Sequence, residues 1–285
     1  MTQVINISVY KFVALDDLDT LRRRLKEKCL KLGLKGTILL SPEGINLMLA
    51  GSRPSIDSIM SYFEADPLFQ NLPIKESISD RQPFNRMLVR LKKEAIAFGI
   101  NDIQPQTYTS PHLKPAILKE WLESGKEVVL LDTRNEYEIK LGTFKNAINP
   151  HIDTFREFPE AVKKLDPSLK DKPVVTFCTG GIRCEKAAPY LEKEGFKEVY
   201  QIDGGILKYF EECGGAFWEG DCFVFDHRVA VNPNLCPTDA RLCFRCRSPL
   251  SEEEYSSPDY VIDVSCPYCI RTDSRKNPCF TSPLS

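Results

Sequence analysis

The run Cys178-Thr179-Gly180-Gly181-Ile182-Arg183-Cys184 sets a thiol behind an apolar segment, two glycines after it and a cation five positions on. Residues 173–178 read as a short buried strand, and helical periodicity resumes at 185, so the run is a strand-to-helix loop. Glycine tolerates positive φ, which lets such a loop curl and aim successive backbone N–H groups inward. The N-terminal end of the following helix adds its positive field. A thiol ringed by these donors is predicted to be thiolate at neutral pH, and the same donors would hold an extra sulfur as a persulfide anion. A buried structural cysteine is the plain alternative. The Gly-Gly pair and Arg183 weigh against it, because a simple core turn needs neither. Cys178 is therefore the candidate nucleophile. Arg183 is a candidate either to hold an anionic substrate group or to close the loop. Cys184 reads as a resolving thiol or a buried helix-start residue, and Glu185 fits compensation of the helix dipole.

A second chemical signal lies near the C-terminus. Cys243-Phe-Arg-Cys246 and Cys266-Pro-Tyr-Cys269 are two Cys-x-x-Cys pairs nineteen residues apart. That spacing matches a tetrahedral zinc ribbon, in which each pair supplies two thiolates. Cys222, Cys236 and Cys279 lie close by and blur the ligand set, and reduced or disulfide-linked cysteines are the alternative. The odd total of 11 cysteines points away from a disulfide framework.

The elements that must position these groups fall into three segments. Residues 1–95 read as an α+β unit. A strand near 5–12 is followed by Leu18, Leu21, Leu25, Cys29 and Leu32 at helical spacing, with Gly33 as the stop. Strands near 37–40 and 45–50 flank the turn Ser41-Pro-Glu-Gly44, and a second helix carries Ile56, Ile59, Met60 and Phe63 on one side. Strands near 74–77 and 87–91 complete a split β-α-β-β-α-β order, the pattern of ferredoxin-like and acylphosphatase-like domains. Residues 96–112, with Gly99, Pro105 and Pro111, read as a linker. From 113 to 220, helices near 116–122, 158–165 and 185–194 alternate with strands near 127–132, 173–178 and 198–202. That alternation implies a parallel sheet with its sites at the strand ends. Residues 221–285 form a Cys-rich tail too poor in apolar residues for a core of its own, so it needs a staple or a host surface.

Composition narrows the class. Hydrophobic residues at 42% and charged residues at 27% are ordinary for a globular chain, and net charge is only −2. Residues 1–95 nonetheless hold 15 Lys/Arg against 11 Asp/Glu. Arg22, Arg23, Arg24 and Lys26 on the polar face of the first helix are the candidate nucleic-acid contacts, with an ordinary solvated helix face as the alternative. No apolar run is long enough to span a membrane, and the N-terminus alternates like a strand and does not resemble a signal peptide. The expected setting is the reducing cytoplasm.

The run Val174-Val-Thr-Phe-Cys-Thr-Gly-Gly-Ile-Arg-Cys-Glu-Lys-Ala resembles the active-site loop of a rhodanese domain. So do Leu131-Asp-Thr-Arg-Asn-Glu-Tyr-Glu138, Gly142-Thr-Phe-Lys-Asn-Ala147 and Asp203-Gly-Gly-Ile206. Four residues separate Cys178 from Arg183, one fewer than in the cysteine phosphatases that resemble rhodaneses. The shorter loop suits a single sulfur and leaves too little room for phosphate. Together with the N-terminal α+β domain and the Cys-rich tail, these motifs resemble the bacterial tRNA uridine(34) hydroxylases over nearly the whole chain. The fold class this implies is an α/β rhodanese domain preceded by an α+β ferredoxin- or acylphosphatase-like domain. The implied activity is oxidation of the wobble uridine of tRNA to 5-hydroxyuridine, with molecular oxygen as co-substrate and Cys178 as the persulfide-forming cysteine. The resemblance assigns Asp132 and Arg134 to an ion pair that supports the loop. It implies tRNA as partner, no membrane, and a persulfide donor protein as a further partner. No Gly-x-Gly-x-x-Gly flavin or nicotinamide motif is present, and the histidines are three: His112, His151 and His227. Two other readings stay open: sulfur transfer from thiosulfate or a persulfide, and a non-catalytic module that binds RNA or protein.

Overall fold

The computed structural model describes residues 3–270 except 244, 247 and 263, so Cys279 lies outside the described residues. The N-terminal unit runs β1 (Val4–Phe12), α1 (Leu18–Lys31), β2 (Lys35–Ser41), β3 (Gly44–Gly51), α2 (Arg53–Glu64), β4 (Lys75–Ser79) and β5 (Met87–Leu91). Its sheet has the order β4-β1-β3-β2-β5, antiparallel except for the β2–β5 pair. β5 is one strand more than the split pattern, and it closes the edge of β2.

The amphipathic periods decide the faces. Ile5, Ile7 and Val9 on β1 pack with Leu21, Leu25 and Cys29 of α1 and with Ile56, Ile59 and Phe63 of α2. Asn6, Ser8 and Tyr10 alternate with them and therefore point away from both helices. α1 starts where the Asp17 side chain accepts the Thr20 N–H, and α2 where Ser52 accepts from Ser55.

The second unit runs β6 (His112–Leu113), α3 (Pro115–Glu123), β7 (Val129–Asp132), α4 (Glu136–Ile139), β8 (Gly142–Phe144), α5 (Phe158–Val162), β9 (Pro173–Phe177), α6 (Cys184–Lys193), β10 (Glu198–Ile202) and α7 (Gly205–Cys213). Four strands form a parallel sheet in the order β6-β10-β9-β7. Val174 belongs to the core on one face and Val175 to the core on the other, so β9 is a central strand buried on both sides. In the segment 96–112, Phe98 and Ile103 are core residues of this second unit, and Phe98 lies 4.9 Å from the Phe155 ring.

Beyond α7, β11 (Trp218–Gly220) pairs with β8, and β12 (Cys222–Phe223) pairs with β13 (Ala230–Val231). Cys222, Val224 and Val231 enter the second unit's core, which gives the tail its host surface. β14 (Arg241–Leu242), β15 (Pro249–Leu250) and α8 (Glu252–Tyr255) carry a separate small core built on cysteines.

The two larger units are clamped together. Lys186 of α6 is buried and gives its Nζ to Glu43 Oε1 (2.7 Å), Glu94 Oε2 (3.0 Å) and the Ile96 carbonyl (3.1 Å). The polar face of the first sheet is thereby held over the C-terminal end of the second. Among the described residues no helix is long and apolar enough to cross a membrane.

Candidate active site

Cys178 follows β9 directly, at the end of the parallel sheet where such folds build their sites. Only 1% of it is exposed, yet it lines a cavity of about 560 Å³ between the two units. Its sulfur accepts the Gly181 N–H at 3.1 Å. Burial pushes this thiol up. The hydrogen bond from Cys184, the Arg183 charge and the amides of Arg183 and Gly181 outweigh burial and bring it down to about 5. Cys184 moves the other way, raised by burial and by its bond to Cys178, and its sulfur lies 3.6 Å from Thr133 Oγ1. One thiolate and one thiol therefore share a proton-ordered pair, with Cys178 as the anion.

The loop is braced from below. Arg183 is buried and forks onto Glu138, with Nη1 2.5 Å from Oε2 and Nη2 2.7 Å from Oε1. Both terminal nitrogens of the Arg183 guanidinium are thus engaged by Glu138, while the residue also borders the cavity. Glu138 also caps α4 in a box with Asn135. Asp132 and Arg134 form a fully buried pair, with Nη2 2.6 Å from Oδ2, and Arg134 passes a further bond of 2.7 Å to the Gly142 carbonyl. Thr179 reaches Glu138 and the Phe223 carbonyl. Gly180 and Ile182 line the cavity.

The Asp203-Gly-Gly-Ile206 turn lies against the loop, and the Ile206 N–H bonds the Cys178 carbonyl at 2.9 Å. A Cβ on Gly205, which has φ +69°, would stand 2.5 Å from that carbonyl oxygen and 2.6 Å from the Gly181 nitrogen. Only glycine permits so close an approach.

The opposite wall comes from the N-terminal sheet, to which none of the loop motifs point. Ser8, Tyr10, Asn46, Met48, Lys75 and Ser77 all line the cavity. Tyr10 donates to Glu185 Oε1 at 2.8 Å. Burial and the Glu185 charge hold its phenol well above the ordinary range. Glu185 also takes a 2.6 Å bond from Thr109 and stands 3.6 Å from His112 Nε2, whose other nitrogen faces Asp203. It is a buried network hub and more than a partner for the helix dipole. The one available signal was β4, where Lys75, Ser77 and Ser79 share one face. On that strand the polar side turns inward while Ile78 is 46% exposed. The exposed ring of Phe225 and the Arg228–Asp226 pair finish the rim.

The four cysteines of the two Cys-x-x-Cys pairs converge, with all sulfurs within 4.8 Å of one another. Cys243 and Cys269 are 4.0 Å apart, and Cys246 and Cys266 are 3.5 Å apart. Four thiolates around one zinc at about 2.3 Å stand about 3.8 Å apart, so the set fits a tetrahedral ion. Cys222 is packed in the core and Cys236 is exposed, and neither belongs to the group. Arg22, Arg23, Arg24 and Lys26 are exposed on α1, across the sheet from the face that lines the cavity. Arg22 pairs with Asp19, and Arg24 donates to Tyr62 Oη at 3.0 Å. The fold does not bring this basic face to Cys178.

Residues 4–95 match the UPF0176 acylphosphatase like domain, and residues 114–212 match the rhodanese-like domain. The chain is 53% identical over 273 residues to a Cupriavidus taiwanensis protein named tRNA uridine(34) hydroxylase, covering 94% of this chain and 97% of that one. Proteins of the same name from Ralstonia nicotianae and Burkholderia thailandensis are 50% and 48% identical, with 96% of this chain covered in each case and 99% and 98% of theirs.

Proposed function

Because the chain belongs to the tRNA uridine(34) hydroxylase family, we propose that it hydroxylates uridine 34 of tRNA at C5, with dioxygen as the source of the oxygen atom. The observation that carries this reading is a thiolate facing a cavity of about 560 Å³, between the loop of one unit and the polar sheet face of the other. That space takes one flipped nucleobase, and the exposed Phe225 ring at its rim offers a face for stacking.

The Cys178 sulfur adds to C6 of the uracil, a form of covalent catalysis that leaves C5 electron-rich. C5 then takes oxygen, loses its proton, and the sulfur leaves C6 to restore the double bond. One oxygen atom enters the base. The other leaves as water, with two electrons from a thiol reductant. A persulfide donor protein would load the same amide ring with an outer sulfur when the cysteine works in its persulfide form.

The converging cysteines Cys243, Cys246, Cys266 and Cys269 would hold a structural zinc, which supplies the folding energy the last segment lacks. The basic face of α1 would meet tRNA phosphates away from the anticodon and make affinity salt-sensitive.

The test is nucleoside mass spectrometry of tRNA from a deletion strain carrying either the wild-type chain or Cys178→Ser. The wild type is expected to restore 5-hydroxyuridine and the variant to leave it absent. Full 5-hydroxyuridine with the serine variant would refute the reading.

A further inference from the structure

Of the four buried Lys and Arg side chains among the described residues, three are neutralised by carboxylates: Arg134 by Asp132, Arg183 by Glu138, and Lys186 by Glu43 and Glu94. Lys75 is the fourth. It is 8% exposed, and among the described residues it has no hydrogen bond and no ion pair. Its Nζ lies 4.8 Å over the Tyr10 ring, its Cε borders Gly204, and the side chain opens into the cavity that holds Cys178. Burying an ammonium without a fixed anion is costly, and a stability role would not retain it. A group that is left unpaired in the free protein and aimed into a reaction cavity is placed for an anion that arrives or forms there.

We propose that Lys75 is a catalytic residue whose ammonium hydrogen-bonds the uracil oxygen that becomes negative when the Cys178 sulfur attacks the ring. This rests on the function proposed above. When sulfur bonds to C6, the C5=C6 pair moves toward C4 and the C4 carbonyl pair moves onto O4. The product is an enolate, with nothing oxidised or reduced. Expulsion of the sulfur reverses every shift. A donor at O4 meets a weak carbonyl dipole before the attack and a full oxyanion after it, so its effect falls on the barrier. The ammonium has three donors and no acceptor, so it fits the O4 of uracil and opposes the amino group that cytosine carries at the same position. In the resting protein, burial pushes Lys75 down while the Cys178 thiolate, Asp203 and Glu185 hold its charge.

The enolate picks up a proton at C5 from solvent, so reversible addition without oxygen exchanges the C5 hydrogen. The experiment incubates the full-length protein anaerobically in D2O with an anticodon stem–loop containing uridine 34, then reads C5 deuterium by mass spectrometry. It is run at a pH where iodoacetamide kinetics show Cys178 fully ionised in every variant. Wild type is expected to exchange and Cys178→Ser not to.

Lys75→Met is expected to exchange on the order of a hundredfold more slowly, the scale seen when one oxyanion donor is removed, with stem–loop affinity within about threefold. Lys75→Arg, which keeps the charge, is expected to recover most of the rate. Lys75→Met should also melt higher than wild type, because it exchanges an unpaired charge for an apolar chain; should it fail to fold, Lys75→Gln carries the same expected loss.

Exchange by the neutral variants within about threefold of wild type would overturn the role of Lys75 and leave Cys178 standing. Exchange by Cys178→Ser at the wild-type rate, or none by wild type, would overturn the addition step itself.

Discussion

Replacing Arg183 by Met withdraws the guanidinium that helps hold Cys178 as an anion at about 5. Removing an opposite charge from beside a thiolate raises its pKa by about 1–3 units, which moves the midpoint to roughly 6–8. The thiolate is the form present above the pKa, so reactivity must fall at low pH and recover as pH rises. With a midpoint near 5 about nine-tenths of the sulfur is ionised at pH 6, and with one near 7 about one-tenth is. Iodoacetamide should therefore label the variant about tenfold more slowly at pH 6 and equally fast near pH 9. The substitution also strands Glu138, a buried carboxylate that has lost both partner edges, at a cost of about 3–5 kcal/mol. Glu138→Gln in the same chain removes that charge and keeps an oxygen for the Asn135 N–H. The double variant should be the more stable of the two and should still show the raised midpoint. A midpoint unchanged from wild type in both would mean that the amides and Cys184 set the ionisation alone, and the charge argument would be wrong.

Three further outcomes follow from the geometry. Gly205→Ala forces a Cβ to within 2.6 Å of two backbone atoms of the reactive loop; a displacement of that order should lower 5-hydroxyuridine formation about a hundredfold, read by nucleoside analysis. Lys186→Met leaves Glu43 and Glu94, both on the N-terminal side of the interface, without the cation they share. Because both are partly solvated the cost should be about 1–3 kcal/mol, seen in urea unfolding as an earlier loss of contact between the units. The wild-type chain should carry about one zinc per molecule by elemental analysis and Cys266→Ser should lose it together with thermal stability; a metal-free wild type of unchanged melting behaviour would remove the zinc assignment.

What the sequence made readable was local. The Cys178 loop, its two glycines and the strand before it lie within a dozen residues, so their chemistry follows from adjacency and period. The parallel strands were readable because β9 is apolar at every position but Thr176, as suits a strand buried on both faces. The ligand pairs at 243–246 and 266–269 were readable because thiolate spacing is a local property. The other half of the site was not. Tyr10 and Glu185 are 175 residues apart in the chain and meet only because α6 docks on the first sheet. Lys75 sits on a short edge strand of mixed character, where a lysine looks like solvent-facing decoration until the partner surface is in place. For the same reason the arginines of α1 drew notice from their number, while the fold sets them on the outer side of the sheet. Phe98 and Ile103 look like residues of a connecting segment until Phe155, Phe158 and Tyr190 are seen to close around Phe98.

Tyr10 crosses from one unit to touch the loop of the other, its oxygen 2.9 Å from where a Gly181 side chain would begin. Severed from its neighbour, the sulfur-bearing half would keep its anion and lose the ceiling above it, becoming an open acceptor for whatever small thiophile drifts by. The other half, alone, would expose a lysine with nothing to answer. Selectivity for a nucleic acid base is thus owned jointly, and separating residues 1–95 from the rest of the chain should abolish it while Phe98 and Ile103 stay with the second core.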